Sequence, residues 1–295
     1  MGLERATSQV NVMGRTLVLG GSGFVGRGLT QSLGCPATSL SDREGFITVD
    51  ATRAEDLRSV LTAFVPETLI NCVGLADVDR AERDPTLADS LNRQVVENLA
   101  RIQGELGFRL IHISTDYVFD GAKGGYREAD SVHPINEYGR SKLHGEEAAL
   151  RSTGSLVLRI SSPYGPGFGA RKPQFFRYVT DTLRSGKPVK ALTDQRVTAT
   201  YLPDLARAVV TLGGAGITGV VHVTSEEPLT RFEFAKRVAK VTGADASLVQ
   251  PGLRSDMLQW VAPRPNDTSL DVTLSKSYGV TYHTVNAALN ELLAA

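Results

Sequence analysis

The sequence predicts an α/β fold: a doubly wound parallel sheet followed by a smaller C-terminal region. Three observations carry that prediction. Short apolar runs alternate with amphipathic stretches across residues 15–160, the rhythm of successive β–α–β units. The first run, Thr16-Leu17-Val18-Leu19, breaks into Gly20-Gly21-Ser22-Gly23-Phe24-Val25-Gly26, so strand, glycine turn and helix follow in succession. After Ser161 the rhythm stops and turn-forming residues take over.

Residues 16–19, a threonine followed by three apolar residues, read as a parallel strand buried on both faces. Glycines at 20, 23 and 26 let backbone amides approach a pyrophosphate. The start of the following helix, residues 27–33, favours its negative charge. A tight turn with no ligand fits the same glycines. Residues 36–40 predict a second strand, ending at Ser41-Asp42-Arg43. Asp42 could accept from adenosine ribose hydroxyls. Arg43 could instead clamp a 2′-phosphate, and a plain charged loop fits as well.

Residues 46–49 predict a third strand ending at Asp50-Ala51, and residues 54–64 a helix. A fourth strand, residues 68–74, runs into small residues at Cys72-Val73-Gly74, where a cofactor can lie against the backbone. One helix, with Asp84-Pro85 near its start, should run through Asn92 to about residue 105. Residues 108–113 predict a fifth strand ending in Ser114-Thr115-Asp116-Tyr117; such strand ends face the ligand crevice of open α/β sheets. The next helix carries Tyr138 and Lys142, four residues apart and so on one face. An ammonium beside a phenol should lower the phenol's pKa, giving a proton donor or acceptor for a carbonyl or alcohol oxygen. An ordinary surface Tyr and Lys fit the same spacing. A sixth strand occupies residues 156–160.

Beyond Ser161, residues 163–167 are turn-rich, and residues 175–184 predict a helix. A helix over 204–212 follows Pro203, then a strand over 220–223. Residues 231–242 form an amphipathic helix with Phe234, Val238 and Val241 on one face. The expected organisation is a flexible leader (1–14) and a dinucleotide-binding domain (15–160) to which 195–224 return. Residues 161–194 and 225–295 make a substrate-binding region.

Composition narrows the function. With 32 basic and 32 acidic residues the net charge is zero, which points away from nucleic acid and membrane surfaces. No apolar run approaches membrane-spanning length. The two cysteines, Cys35 and Cys72, lack metal spacing, and no secretory signal is visible, so a cytoplasmic location is expected. His112 fits a packed strand histidine and His144 a solvated one; His133 and His283 have no ligand cluster, so no metal site is expected. Asp77, Asp79, Glu82 and Asp84, interleaved with Arg80 and Arg83, read as a salt-laced helix start.

Taken together, the segments resemble the extended short-chain dehydrogenase/reductases. Within them the chain resembles the dTDP-4-dehydrorhamnose reductase group of nucleotide-sugar ketoreductases, a Rossmann-type fold. The matching blocks are Gly20 to Gly26, Val78-Asp79-Arg80-Ala81-Glu82, Asn92, and Ser114 through Gly121. They continue with Tyr138-Gly139-Arg140-Ser141-Lys142, Gly145-Glu146, Arg159-Ile160-Ser161, Asp194-Gln195, Arg264-Pro265 and Leu270-Asp271. The resemblance implies reduction of a keto group, C4 of a nucleotide-linked deoxysugar, by NADPH or NADH. Tyr138 would be the acid, with Lys142 holding the nicotinamide ribose and Thr115 bonding the substrate oxygen. Asp116 would touch the sugar. Gly20, Gly23, Phe24, Val25 and Gly26 would line the pyrophosphate, Asp50 and Ala51 the adenine, and Cys72, Val73 and Gly74 the middle of the cofactor. Arg43 tips the expectation towards NADPH, since its long side chain reaches the 2′-phosphate from either strand register.

The chain departs from the group at two places. Gln195 is followed by Arg196-Val197-Thr198-Ala199-Thr200 instead of Gln-x-Gly-x-Pro-Thr, and Ser161 to Gly165 lacks a tryptophan often found nearby. Both leave the sugar open. Two other readings stay open: a non-catalytic subunit like the regulatory subunit of methionine adenosyltransferase, and a nucleotide-sugar epimerase. Dehydration is disfavoured because Tyr117 stands where a second acid is common. Some relatives form a magnesium-bridged dimer; no pattern here carries that over, and a homodimer is left open.

Overall fold

The computed structural model describes residues 14–166 and 174–294, so all but the last residue of the leader expected at 1–14 lies outside the described residues. The strands, in chain order, are β1 (Thr16–Leu19), β2 (Thr38–Ser39), β3 (Ile47–Thr48), β4 (Thr68–Asn71), β5 (Arg109–Thr115) and β6 (Leu156–Ile160). They continue with β7 (Val189–Leu192), β8 (Arg196–Thr198), β9 (Gly219–His222), β10 (Pro228–Thr230) and β11 (Val249–Gly252). The helices are α1 (Phe24–Leu33), α2 (Ala54–Phe64), α3 (Val78–Arg83), α4 (Pro85–Asp89), α5 (Val95–Leu106) and α6 (Glu137–Leu150). After them come α7 (Phe175–Arg184), α8 (Leu202–Gly214), α9 (Arg231–Thr242), α10 (Thr273–Ser277) and α11 (Val285–Ala294).

The main sheet runs β1-β4-β5-β6-β9, every pairing parallel. The parallel β2–β3 pair extends it beyond β1, where Val18 N–H donates to Pro36 O at 3.0 Å. Side chains on a strand alternate between faces, so each strand serves two cores. Val18, Ile70, Ile111 and Leu158 pack under Leu29 and Leu33 of α1 and Leu205 and Val209 of α8. Leu17, Leu69, Leu110 and Val157 pack under Leu57 of α2 and Val95 and Leu99 of α5. That double burial explains why the strands read as unbroken apolar runs. A third core joins α7, α9 and α11 through Val179, Leu183, Phe234, Val238 and Leu289. No described helix is long and apolar enough to cross a membrane.

Three expectations need correction. The return to the main sheet begins after β8, not at residue 195, because β8 pairs antiparallel with β10; α8 and β9 make the return. The helix expected around Asn92 runs unbroken from Pro85 to Leu106, but its stretch Ser90–Gln94 is a π-helical turn, and α3 stands apart before it. Asp84 caps a fresh start there, accepting from Leu87 N–H at 2.9 Å, because Pro85 cannot donate back to the preceding helix. Pro203 sits inside the first turn of α8, where its missing N–H costs nothing.

Candidate active site

All five strands of the main sheet point the same way, so the residues after them gather along one edge. Gly20 follows β1 with φ of 81°, a backbone that L side chains rarely adopt. A Cβ on Gly26 would sit 2.3 Å from Gly20 O, so turn and helix touch through bare backbone. Gly23 N–H donates to Gly20 O at 3.1 Å. Gly23 also precedes α1 without a side-chain cap, leaving the first amides of the helix, including Phe24 and Val25, open to an anion. The turn therefore fits the pyrophosphate of a dinucleotide. Next to it, Thr38 Oγ1 accepts from Gly20 N–H at 3.1 Å. Asp50 and Ala51 follow β3, and Asp50 Oδ1 accepts from Thr52 N–H at 3.0 Å. Asp42 and Arg43 are both exposed in the loop after β2, where Arg43 Nε donates to Ser41 Oγ at 3.3 Å.

After β4 come Cys72, Val73 and Gly74. Burial pushes the Cys72 thiol up to about 12, so it is an unreactive wall. Fully buried Asn92 accepts from Leu75 N–H at 2.8 Å and donates to Ser141 Oγ at 2.9 Å, tying this loop to α6.

Helix α6 brings the reactive side chains to the edge. Asn136 caps it, accepting from Gly139 N–H at 2.8 Å and donating to Pro263 O at 2.9 Å. A Cβ on Gly139 would meet Tyr117 O at 2.2 Å, so the helix lies directly on the chain leaving β5. Tyr138 is half-buried, edge-on to Tyr117 with ring centroids 5.7 Å apart, and hydrogen-bonded to Thr115. Thr115 Oγ1 also accepts from Tyr117 N–H at 3.2 Å. One turn on, Lys142 is buried and donates to Ile113 O at 2.6 Å. Behind it Glu146 and Arg159 form a buried pair, Nη2 to Oε2 at 2.7 Å, and Ser114 Oγ donates to the same carboxylate.

The expected tuning of Tyr138 by Lys142 is not what this geometry does. Burial holds the phenol well above its usual range, and only the Thr115 hydrogen bond pulls it down. The Lys142 amine turns instead onto the Ile113 carbonyl, and burial lowers it to about 8. A phenol kept protonated is still the form a proton donor needs.

Direct contact of Asp116 with a sugar also fails to fit. Asp116 is 2% exposed, and its oxygens accept from Ser161 Oγ at 2.7 Å, Thr115 Oγ1 at 3.1 Å and Thr268 Oγ1. It points inward and orients Thr115. Sequence reasoning missed Arg231, at the first position of α9. Its Nε donates to Gln195 Oε1 at 3.4 Å, it bonds Ser162 Oγ, and it lies 5.0 Å over the Phe175 ring. Gln195 Nε2 in turn donates to Tyr117 Oη at 3.3 Å. Chain distance hid this cation; the one available signal was an arginine opening an amphipathic helix. The acidic stretch near α3 is also arranged differently: Asp77 and Asp84 are caps, while Asp79 pairs with distant Arg264 at 2.9 Å. His112 is fully buried and His144 exposed, and no metal-holding cluster occurs among the described residues.

Comparison with known proteins follows the geometry. The model of the RmlD substrate binding domain family matches residues 14–295. The chain belongs to this family. It is 36% identical over 228 residues to a probable low-salt glycan biosynthesis reductase, Agl14, of Haloferax volcanii, covering 76% of each chain. It is 34% identical over 267 residues to dTDP-4-dehydrorhamnose reductase of Mycobacterium tuberculosis, covering 87% of this chain and 84% of that one. Among solved structures, a hypothetical dTDP-4-dehydrorhamnose reductase from Sulfolobus tokodaii superposes with a TM-score of 0.82 at 31% identity, covering 92% of this chain and 98% of that one.

Proposed function

We propose that the protein reduces the 4-keto group of a nucleotide-linked 6-deoxyhexose, with NADPH or NADH as the donor, as a cytoplasmic biosynthetic enzyme. The observation that carries this reading is the convergence of Thr115, Tyr138 and Lys142 at the sheet edge that also holds the bare glycine turn. The nicotinamide, when bound, supplies the hydride. Gly20, Gly23 and the open amides of α1 would hold its pyrophosphate, and Lys142 its ribose. Tyr138, kept protonated by burial, gives its proton to the carbonyl oxygen as charge develops there. Thr115, whose hydroxyl donates to Asp116 in the free protein, would turn that proton to the same carbonyl oxygen. Arg231 would meet the anionic nucleotide portion of the substrate, since it opens onto the same cluster through Gln195 and Ser162. Arg43 supports NADPH: β2 ends at Ser39, which leaves its long side chain exposed in the loop.

The test is a panel of nucleotide-linked 4-ketosugars offered with each cofactor and followed at the nicotinamide absorbance band. Turnover of at least one 4-ketosugar is expected. Tight NADPH binding with no turnover on any of them would overturn the enzymatic reading in favour of a binding subunit.

A further inference from the structure

Behind Lys142 lies a line of polar side chains that the reaction above does not use. Asn71 ends β4 and pairs in register with His112 of β5; both are fully buried. The amide of Asn71 has a fixed orientation, because its Oδ1 accepts from Val73 N–H at 3.0 Å. Its Nδ2 is therefore the atom 3.1 Å from His112 Nδ1. An amide NH₂ can only donate, so Nδ1 must accept, and a neutral imidazole then carries its proton on Nε2. That nitrogen lies 3.4 Å from Lys142 Nζ. An N–H aimed at an ammonium is repelled; aimed at the lone pair of a neutral amine it makes a hydrogen bond.

We propose that His112, with its proton held on Nε2 by Asn71, is a positioning residue that opposes the ammonium form of Lys142. The proposal rests on the reading of Lys142 as part of a reductase site. Other groups face the amine. Cys72 at the end of β4 and Glu146 one turn along α6 both favour the cation, Glu146 while shared with Arg159 of β6. Tyr138 stands one turn back on α6. Burial and Lys142 together hold His112 well below its usual range, so the ring stays neutral. The asparagine thus chooses the tautomer, and the tautomer biases the lysine.

Long-range ¹⁵N–¹H correlation spectra of the ¹⁵N-histidine-labelled full chain read the tautomer directly, without substrate. The expected result is a neutral Nε2–H ring for His112 across the neutral range; an Nδ1–H ring or a titrating one overturns the proposal. Asn71→Asp supplies the second arm. A carboxylate can still accept from Val73 N–H, but it also accepts from Nδ1–H, which turns the Nε2 lone pair towards Lys142. The alkaline limb of NADPH binding, and of kcat/KM where a ketosugar is turned over, should then move up by roughly one pH unit. A switched tautomer with an unmoved limb would sink the coupling. Should Asn71→Asp fail to fold, His112→Gln, whose amide oxygen can turn to the amine, carries the same expected shift and the same refutation. Absence of ketosugar turnover would count against the functional reading alone, since the spectra and NADPH binding still decide this one.

Discussion

Replacing Glu146 by glutamine should destabilise the fold sharply. Glu146 is 1% exposed and Arg159 4%, and they meet through Nη2–Oε2 at 2.7 Å and Nε–Oε1 at 3.0 Å. The guanidinium also lies 5.1 Å over Phe119, and its Nη1 is buried with no partner among the described residues, so no route to water compensates a lost counter-charge. Removing one member of a buried pair costs about 3–5 kcal/mol, because the other charge stays buried and unpaired. Glutamine keeps one acceptor oxygen, which places the loss near ~3 kcal/mol. For a chain of this size that corresponds to a fall in Tm of about 5–10 °C. Melting followed by circular dichroism reads it. Replacing both partners with apolar residues, Glu146→Leu with Arg159→Met, should recover most of the loss. A single variant melting within a degree of the parent, or a double variant no better than the single one, would refute the argument from burial.

Lys142→Met should weaken NADPH binding while raising Tm at neutral pH. Burial lowers the amine to about 8, so the folded chain releases its proton at lower pH than the unfolded chain, near ~10.4. Below the folded value the cost of burying the charge is constant; between the two values the unfolded state holds the extra proton and parental stability climbs with pH. The stability gain of the variant should therefore shrink through that window, and a gain independent of pH would contradict the assignment. For Arg231→Met, KM for the nucleotide-sugar should rise about tenfold or more with KM for the cofactor unchanged, as expected when a cation meeting an anionic substrate is lost; steady-state kinetics with each reactant varied check it. Arg43→Ala should raise KM for NADPH and barely move that for NADH, and if both stay put Arg43 is surface charge only.

Much of the architecture was legible because each signal was local. The short apolar run at residues 16–19, a glycine turn and a helix start identify β1 and α1 without any tertiary information. Helices α2, α7 and α9 have the bounds their apolar spacing predicts, and α9 opens with a capping box between Thr230 and Glu233. Strands β7, β8, β10 and β11 escaped because three or four residues are too few to show a period. At the site, the side chains were legible but their electrostatics were not. Spacing puts Tyr138 and Lys142 on one face of α6; it says nothing of the Ile113 carbonyl that draws the amine inward. Asp116 reads as a crevice residue from its place after β5, yet Ser161 and Thr268, far along the chain, hold it inside.

The central claim is that Tyr138 delivers the proton that completes carbonyl reduction. Single-turnover reduction of a nucleotide-4-ketosugar by Tyr138→Phe, with NADPH preloaded and its oxidation followed by absorbance, tests this most directly. The change deletes one oxygen from a half-buried ring and should leave folding and NADPH affinity in place. The predicted rate is about 10²–10⁴-fold below that of the parent, the range of a lost general acid. A single-turnover rate within a few fold of the parent, at equal NADPH occupancy, would contradict the account.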